Sequence, residues 1–269
     1  MKAVRALIPW ALPLALLALW QLAGDAGWFT RRVLPTPAEV VRAGVRLAES
    51  GELSRHLAVS AKRAASGFII GGAIGFVLGL FTGASRVAES VLDSSVQMLR
   101  TVPHLALVPL VILWFGIGEG GKVFLVALGV LFPVYLNTYH GIRSVDPGLI
   151  EMGRVYGLGR WGLFRRVLLP GALPSILVGV RYALGVMWLT LIVAETIAAN
   201  SGIGYMAMNA REFLLTDVVV LSILLYALLG KLADLAARGL ERWLLPWHPA
   251  HARKTAAAAL PDDPTGGAA

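Results

Sequence analysis

The stretch Ala64-Ala-Ser-Gly-Phe-Ile-Ile-Gly-Gly-Ala-Ile-Gly-Phe-Val-Leu-Gly-Leu-Phe-Thr-Gly83 decides the fold. It carries no ionisable side chain. As an α-helix it is about 30 Å long, which matches the hydrocarbon core of a bilayer. Gly67, Gly71, Gly75 and Gly79 recur every four residues. Such a ridge of small residues lets a second helix approach closely, so packing accounts for it without a substrate.

Five further apolar stretches flank this one: Val4 to Ala23 (interrupted by Pro9 and Pro13), Val102 to Ile117, Val123 to Tyr139, Ile176 to Ala199, and Val218 to Leu240. The composition agrees, with 57% hydrophobic and only 15% charged residues, against about 25% charged in soluble domains. The expectation is an all-α integral membrane protein with six transmembrane helices. Val4 to Ala23 follows Lys2 and Arg5 as a signal peptide would, but its apolar run is longer than a typical h-region and reads as an uncleaved span.

Several classes of chemistry are excluded. The chain has no cysteine, hence no disulfide and no thiolate metal site. Its five histidines include no i, i+4 pair of the metal-binding helix type. The net charge of +8 marks a cytoplasmic face rather than a nucleic-acid surface. Gly116-x-Gly118-x-Gly120-Gly121-Lys122 is glycine-rich but lacks the spacing of a phosphate cradle.

The distribution of basic residues sets the orientation. With the N-terminus inside, one face collects Lys2, Arg5, Arg86, Arg100, Arg143, Arg154, Arg160, Arg165, Arg166, Arg238, Arg242, Arg253 and Lys254, while the short outer loops hold Lys122 and Arg211. One segment resists. Residues 24–63 lie outside in this scheme yet carry seven basic residues, partly offset by Asp25, Glu39, Glu49 and Glu52. Within that segment Leu34-Pro-Thr-Pro37 is a turn, and residues 38–50 read as a short amphipathic surface helix. The expected organisation is a first span at 1–23, an extracytoplasmic loop at 24–63, a membrane domain at 64–245 and a cytoplasmic tail at 246–269. That tail's Ala, Pro, Gly and Asp cannot bury a core, so disorder is expected.

The cytoplasmic loop 146–170 carries the functional signal. Asp146 suits an N-cap and Pro147 the first helical position. Gly157 permits the left-handed conformation that ends a helix. A second helix is expected from Arg160, with Trp161, Phe164, Val167 and Leu168 on its apolar face and with Pro170 and Pro174 marking the passage into the fifth span. The product is a helical hairpin with its tip at Gly157-Leu158-Gly159, a protrusion suited to a cleft in a cytoplasmic partner.

The spacing Glu151, five residues, Gly157, nine residues, Val167, one residue, Leu169-Pro170 resembles the EAA loop of binding-protein-dependent ABC transporter permeases. Met152-Gly153 stands where that family usually has Ala-Ala, and Val167 where it has Ile. Leu99 to Pro109, Leu113 to Glu119, Phe132 to Asn137 and Ala194 to Tyr205 resemble the sulfonate, taurine and nitrate branch. The resemblance runs from about Leu34 to Trp243. It implies an importer-type (MetI-like) permease core that performs no catalysis and moves a small anion. It also implies a second permease subunit, often identical, a cytoplasmic ATPase subunit that carries ATP and Mg, and an extracytoplasmic solute-binding protein. Glu151, Arg154, Gly157, Leu158, Gly159, Val167, Leu169 and Pro170 would form the ATPase-coupling loop, with Glu151 bracing the loop or the partner contact through nearby arginines such as Arg154.

Candidate pathway or gate residues are Glu195, Asn137 and Asn200. Glu195 reads either as a pathway residue or as an interfacial structural one. Asn137 and His140 read more readily as helix–helix hydrogen bonders, and Asn200-Ser-Gly-Ile-Gly204 as a re-entrant turn. Lys231 and Asp234 are spaced to pair on one helix face. A stand-alone channel or secondary transporter would leave the docking hairpin unexplained. A membrane enzyme would need a constellation of catalytic groups that this sequence lacks.

Overall fold

The computed structural model describes residues 2–246, which form helices joined by short turns and breaks. The helices are α1 (Lys2–Asp25), α2 (Pro37–Glu49), α3 (Glu52–Ala84), α4 (Arg86–Thr101), α5 (Val108–Phe115), α6 (Glu119–Arg143), α7 (Pro147–Val155), α8 (Arg160–Leu163), α9 (Leu169–Ala198), α10 (Ile203–Glu212) and α11 (Thr216–Leu244). No strand occurs among the described residues. Four helices there are long and apolar enough to cross a membrane, or five if the bent pair around Pro103 is one span. With the 24 residues of α1, that is compatible with six spans. The tail expected to be disordered lies, except for Pro246, outside the described residues.

Two compact units are formed. The first comprises Met1–Gly71, Arg100–Val130 and Gly185–Lys231. One of its cores joins Ala43 of α2, Ile203, Met206 and Ala210 of α10, and Val218 and Tyr226 of α11. Another joins Val108 and Val111 of α5 to Leu125 and Ala194. The second unit comprises Gly72–Leu99, Leu131–Leu184 and the chain from Leu232 onward. Its core joins Ile142 to Ala172 and Ile176. Polar contacts hold α4 there: Tyr135 donates to Asp93 at 2.9 Å, Tyr139 donates to Glu89 at 2.5 Å, and Arg143 pairs with Glu89.

The glycine ridge of α3 packs on α6 in each unit. In the first, a Cβ on Gly67 would lie 2.5 Å from Val126, and one on Gly71 would lie 2.0 Å from the Ala127 carbonyl oxygen. In the second, a Cβ on Gly75 would lie 2.4 Å from the Leu131 carbonyl oxygen, and one on Gly79 2.6 Å from that of Tyr135. The obstacles are mostly backbone, which cannot swing aside.

Sequence expectation and structure diverge in several places. The supposed loop 24–63 is helical from Glu52, because α3 begins well before its apolar run. The stretch Val102 to Ile117 is not one straight helix. It breaks at Val102 and Pro103, passes through a 3₁₀ turn at His104–Leu107 and resumes as the eight-residue α5. Pro103 lacks the N–H an unbroken helix would use, and it pushes its predecessor out of helical geometry. Conversely, Pro170 and Pro174 end nothing. A π-helical turn at Phe164–Leu168, closed by the Leu169 N–H on the Phe164 carbonyl, leads directly into α9. Its wider turn eases Pro170 past the preceding carbonyls. His140 is exposed and leans on the neighbouring Tyr139 ring instead of bridging helices. Asp234 pairs with Arg181 and Arg238, at 2.7 and 2.8 Å, in place of Lys231.

The surface helix α2 shows how local chemistry sets an end. Thr36 accepts from the Glu39 N–H, the Glu39 carboxylate accepts from the Thr36 N–H, and Pro37 opens the first turn. That backbone donor holds the Glu39 carboxyl below the usual glutamate range. The box is therefore fully formed above that range and weakens as pH falls through the lowered value.

Gly71→Val should lower stability by about 1–3 kcal/mol or more, since its side chain would overlap backbone. Thermal unfolding of the purified chain in detergent reads this. An unchanged midpoint would mean that α3 and α6 are not in close contact at Gly71.

Candidate functional site

Two constructions stand out. The first is the hairpin 146–170, in the second unit. Asp146 caps α7 by accepting from the Gly148 N–H at 2.8 Å. At the far end Gly157 adopts φ +77. The Leu158 N–H reaches the Gly153 carbonyl at 3.0 Å, and the Gly157 N–H reaches that of Arg154 at 2.9 Å. This is the paired hydrogen-bond stop that favours glycine at its left-handed position. It turns the chain sharply into α8.

The hairpin has its own small core. A Cβ on Gly153 would meet Leu163 at 2.7 Å, Leu158 at 3.3 Å and Val167 at 3.5 Å. Gly153 is therefore the floor on which three aliphatic side chains converge. Leu168 and Leu169 continue into the core of Ile142, Ala172 and Ile176, which anchors the hairpin's base. The expected apolar face is corrected here. Trp161 is 71% exposed and stacks on Phe164 at 5.5 Å, whereas Leu163 is the buried residue. α8 lasts a single turn before the π turn, so simple helical spacing misassigns the inward side chain.

Outside this floor the tip is apolar and exposed, with Val155 at 84% and Tyr156 at 79%. Arg154, Arg160, Arg165 and Arg166 are exposed beside it. Glu151 is exposed and, among the described residues, forms no ion pair with Arg154. Exposed apolar residues rimmed by charge are a hallmark of a docking surface.

The second construction, in the first unit, centres on Glu195. Its side chain is fully buried. It accepts from Ser60 Oγ at 2.8 Å, Arg63 Nη1 at 2.8 Å, the Gly204 N–H at 2.9 Å and Tyr226 Oη at 3.0 Å. Arg63 also donates to the Ser201 carbonyl at 2.5 Å and grips Glu119 with two nitrogens, at 2.5 and 2.6 Å. Ser60 Oγ in turn accepts from the Ile203 N–H at 2.9 Å, and His56 Nδ1 from the Gly202 N–H at 3.0 Å. The free amides at the start of α10 are thus met by side chains of α3 and by the α9 carboxylate. A Cβ on Gly202 would fall 2.4 Å from the Glu195 carboxylate, so only glycine admits this approach, and its φ of +110 suits glycine as well.

The other sequence candidates are not gathered around this centre. Asn200 is exposed in the break. Asn137, in the second unit, donates its side-chain amide to the Pro133 carbonyl of its own helix at 2.8 Å, and its backbone carbonyl accepts from Ser175 Oγ at 2.8 Å. Lys122 is buried against the carbonyls of Ile117 and Gly118, at 3.3 and 3.2 Å, which leaves it committed to capping that turn. Sequence reasoning missed Ser60, Arg63 and Tyr226. Arg63 abuts the apolar run but was counted with the loop charges, and nothing local distinguishes Tyr226.

Membrane-length helices, a knotted break and an exposed helical hairpin define a multi-pass membrane transport subunit. Residues 73–246 match the family model of the binding-protein-dependent transport system inner membrane component, and the chain belongs to that family. It is 65% identical over 248 residues to the aliphatic sulfonates transport permease protein SsuC of Escherichia coli (strain K12), which covers 92% of this chain and 94% of that one. It is 49% identical over 236 residues to the corresponding protein of Bacillus subtilis (strain 168), covering 88% and 86%. It is 37% identical over 238 residues to the taurine transport system permease protein TauC of Escherichia coli (strain K12), covering 87% and 86%. The fold is also that of the crystal structure of an amino acid ABC transporter with histidines, at 20% identity and TM-score 0.57 over 73% of this chain and 97% of that one. The protein is accordingly a permease subunit of an ATP-driven importer. It is not an enzyme, and its family implies an ATPase and a solute-binding protein as partners.

Arg63→Gln should cost about 3–5 kcal/mol, because it strands a buried carboxylate. Glu119→Gln, at a partner that is 63% exposed, should cost about 1 kcal/mol or less. Equal losses of thermal stability for the two variants would contradict this ranking.

Proposed function

We propose that the chain imports a small aliphatic sulfonate, with its termini and the hairpin 146–170 in the cytosol. The 65% and 49% identities to two aliphatic sulfonate permeases support that substrate over the taurine of the 37% relative. A bicarbonate permease of Synechococcus elongatus at 30% identity fits the wider theme of small oxyanions. The proposed organisation is a first span at 1–23, an extracytoplasmic segment at 24–63, a permease domain at 64–245 and a cytoplasmic tail at 246–269. Two identical copies would enclose the pathway, and ATP and Mg would be held by the ATPase subunit.

The observation that carries the coupling role is the exposed tip at Val155 and Tyr156, set rigidly on Gly153 and turned at Gly157. Glu151, Arg154, Leu158, Gly159, Val167, Leu169 and Pro170 complete the loop that the ATPase grips. A stiff lever transmits a partner's closure, whereas a floppy one absorbs it. The permease needs only two arrangements whose balance the nucleotide state biases. Glu195 acts in this scheme as the lock of the helix break beside the pathway. Its hydrogen-bond capacity is already committed within the knot, so it does not serve as a solute ligand. Asn200 lies at that break on the solvent side, and Asn137 secures the contact of α6 with α9.

The test is uptake of an aliphatic sulfonate into proteoliposomes holding the permease, its ATPase and the binding protein. Gly157→Val should reduce uptake about tenfold or more, matching the ~1–2 kcal/mol that an L side chain loses in left-handed backbone. Assembled permease should persist in the membrane. Full uptake by this variant would sink the coupling role. Uptake of taurine in preference to longer sulfonates would overturn the substrate assignment alone.

A further inference from the structure

The basic segment 24–63, which sits poorly with the orientation rule, does not scatter its charge. Arg31, Arg32, Arg42 and Arg46 line one open pocket of about 380 Å³ together with Glu39 and Asp217. Arg31 pairs with Glu39 at 2.7 Å and Arg46 with Asp217 at 2.8 Å. Arg32 and Arg42 are exposed and form no ion pair among the described residues. Arg42 spends one nitrogen on the Ala38 carbonyl of its own helix. The pocket therefore holds two cations beyond what its carboxylates neutralise.

Its position is at the end of a membrane-length helix. One wall is the first turn of α11, a membrane-length helix, and Thr216 Oγ1 donates to the Arg31 carbonyl at 3.2 Å across it. Close in the chain to its lining residues are exposed large apolar side chains: Trp28 and Val33 at 77%, Leu214 at 72% and Phe213 at 69%. Leu214 also lines the pocket. It is the one non-glycine residue with positive φ among the described residues, at 56°, in a helix stop where glycine is the usual occupant. The chain thus carries an exposed leucine in unfavourable backbone at the pocket's lip. Arginines beside an exposed aromatic and aliphatic collar match the headgroup level of a bilayer, where the collar enters the acyl region and the guanidiniums face phosphate.

We propose that this pocket binds the phosphate of an anionic phospholipid headgroup, with Arg32 and Arg42 as its ligands and Trp28, Val33, Phe213 and Leu214 against the acyl chains. Guanidinium forks suit a tetrahedral oxyanion with two oxygens presented together. The site would seat the end of α11 and the surface helix α2 on the membrane, and it gives the excess of outer arginines a use. The inference stands apart from the transport reading, because it rests on neither the solute nor the ATPase.

The test uses the full-length chain, purified with its ATPase, in nanodiscs containing phosphatidylglycerol and phosphatidylcholine. Lipid retained after release from the disc is measured by native mass spectrometry. Phosphatidylglycerol should be retained preferentially. The double variant R32Q/R42Q should reduce that preference about 30-fold, as expected for two basic residues at a charged surface. Arg55→Gln, an exposed cation of the same segment outside the pocket, should leave it unchanged. Methanesulfonate should not displace the lipid. An unaltered preference in the double variant would overturn the proposal. Complete displacement by methanesulfonate would do so too, by making the pocket a small-anion site. A loss of binding-protein affinity with lipid preference intact would make it a protein dock instead.

Discussion

The buried pair of Glu195 and Arg63 sets the terms for the first unit. A carboxylate removed from water is costly unless its lone pairs are filled, and a lone ionised partner would be equally costly. Here four donors fill the Glu195 oxygens, and Arg63 divides its nitrogens among two carboxylates, a carbonyl and a hydroxyl. Because the donors come from α3, α11 and the start of α10, that satisfaction demands that all three stand in fixed relation to α9. The helix break at 199–202 is tolerable for the same reason. Irregular backbone persists in a bilayer only where other groups meet its polar atoms.

The hairpin obeys the opposite logic. Its backbone polar groups are met locally by the stop at Gly157, and its small core rests on Gly153. Its large apolar residues are left uncovered. The first unit buries polar groups to hold a break, whereas the second leaves apolar residues exposed. Leu168 and Leu169 in the core beside Ile142 make the hairpin an extension of α9 rather than an appendage. The uninterrupted run from the π turn into α9, despite Pro170 and Pro174, serves the same stiffness.

Much of this was legible in the sequence, because bilayer thickness and helical rise translate directly into apolar run length. The glycine ridge of α3, the Asp146 cap and the Gly157 turn follow from local rules that tertiary packing does not overturn. What failed depended either on a partner distant in sequence or on a local turn that residue spacing does not announce. Arg63 counts as a loop charge until Glu195 and Glu119 are seen around it. The direction of Trp161 follows from a π turn that no local pattern announces. Asp234 takes Arg181 in place of Lys231 because geometry between helices outranks spacing along one of them. Gly153 passed for a departure from a pattern, and its role appears only once Leu158 and Leu163 lie over it.

The absence of cysteine permits a direct test of the central claim that the exposed hairpin is the ATPase's handle. A single Tyr156→Cys variant in inside-out membrane vesicles should react with a membrane-impermeant maleimide, and bound ATPase subunit should slow that reaction strongly. Labelling only in right-side-out vesicles, or labelling that proceeds at the same rate with and without the ATPase, would contradict the account.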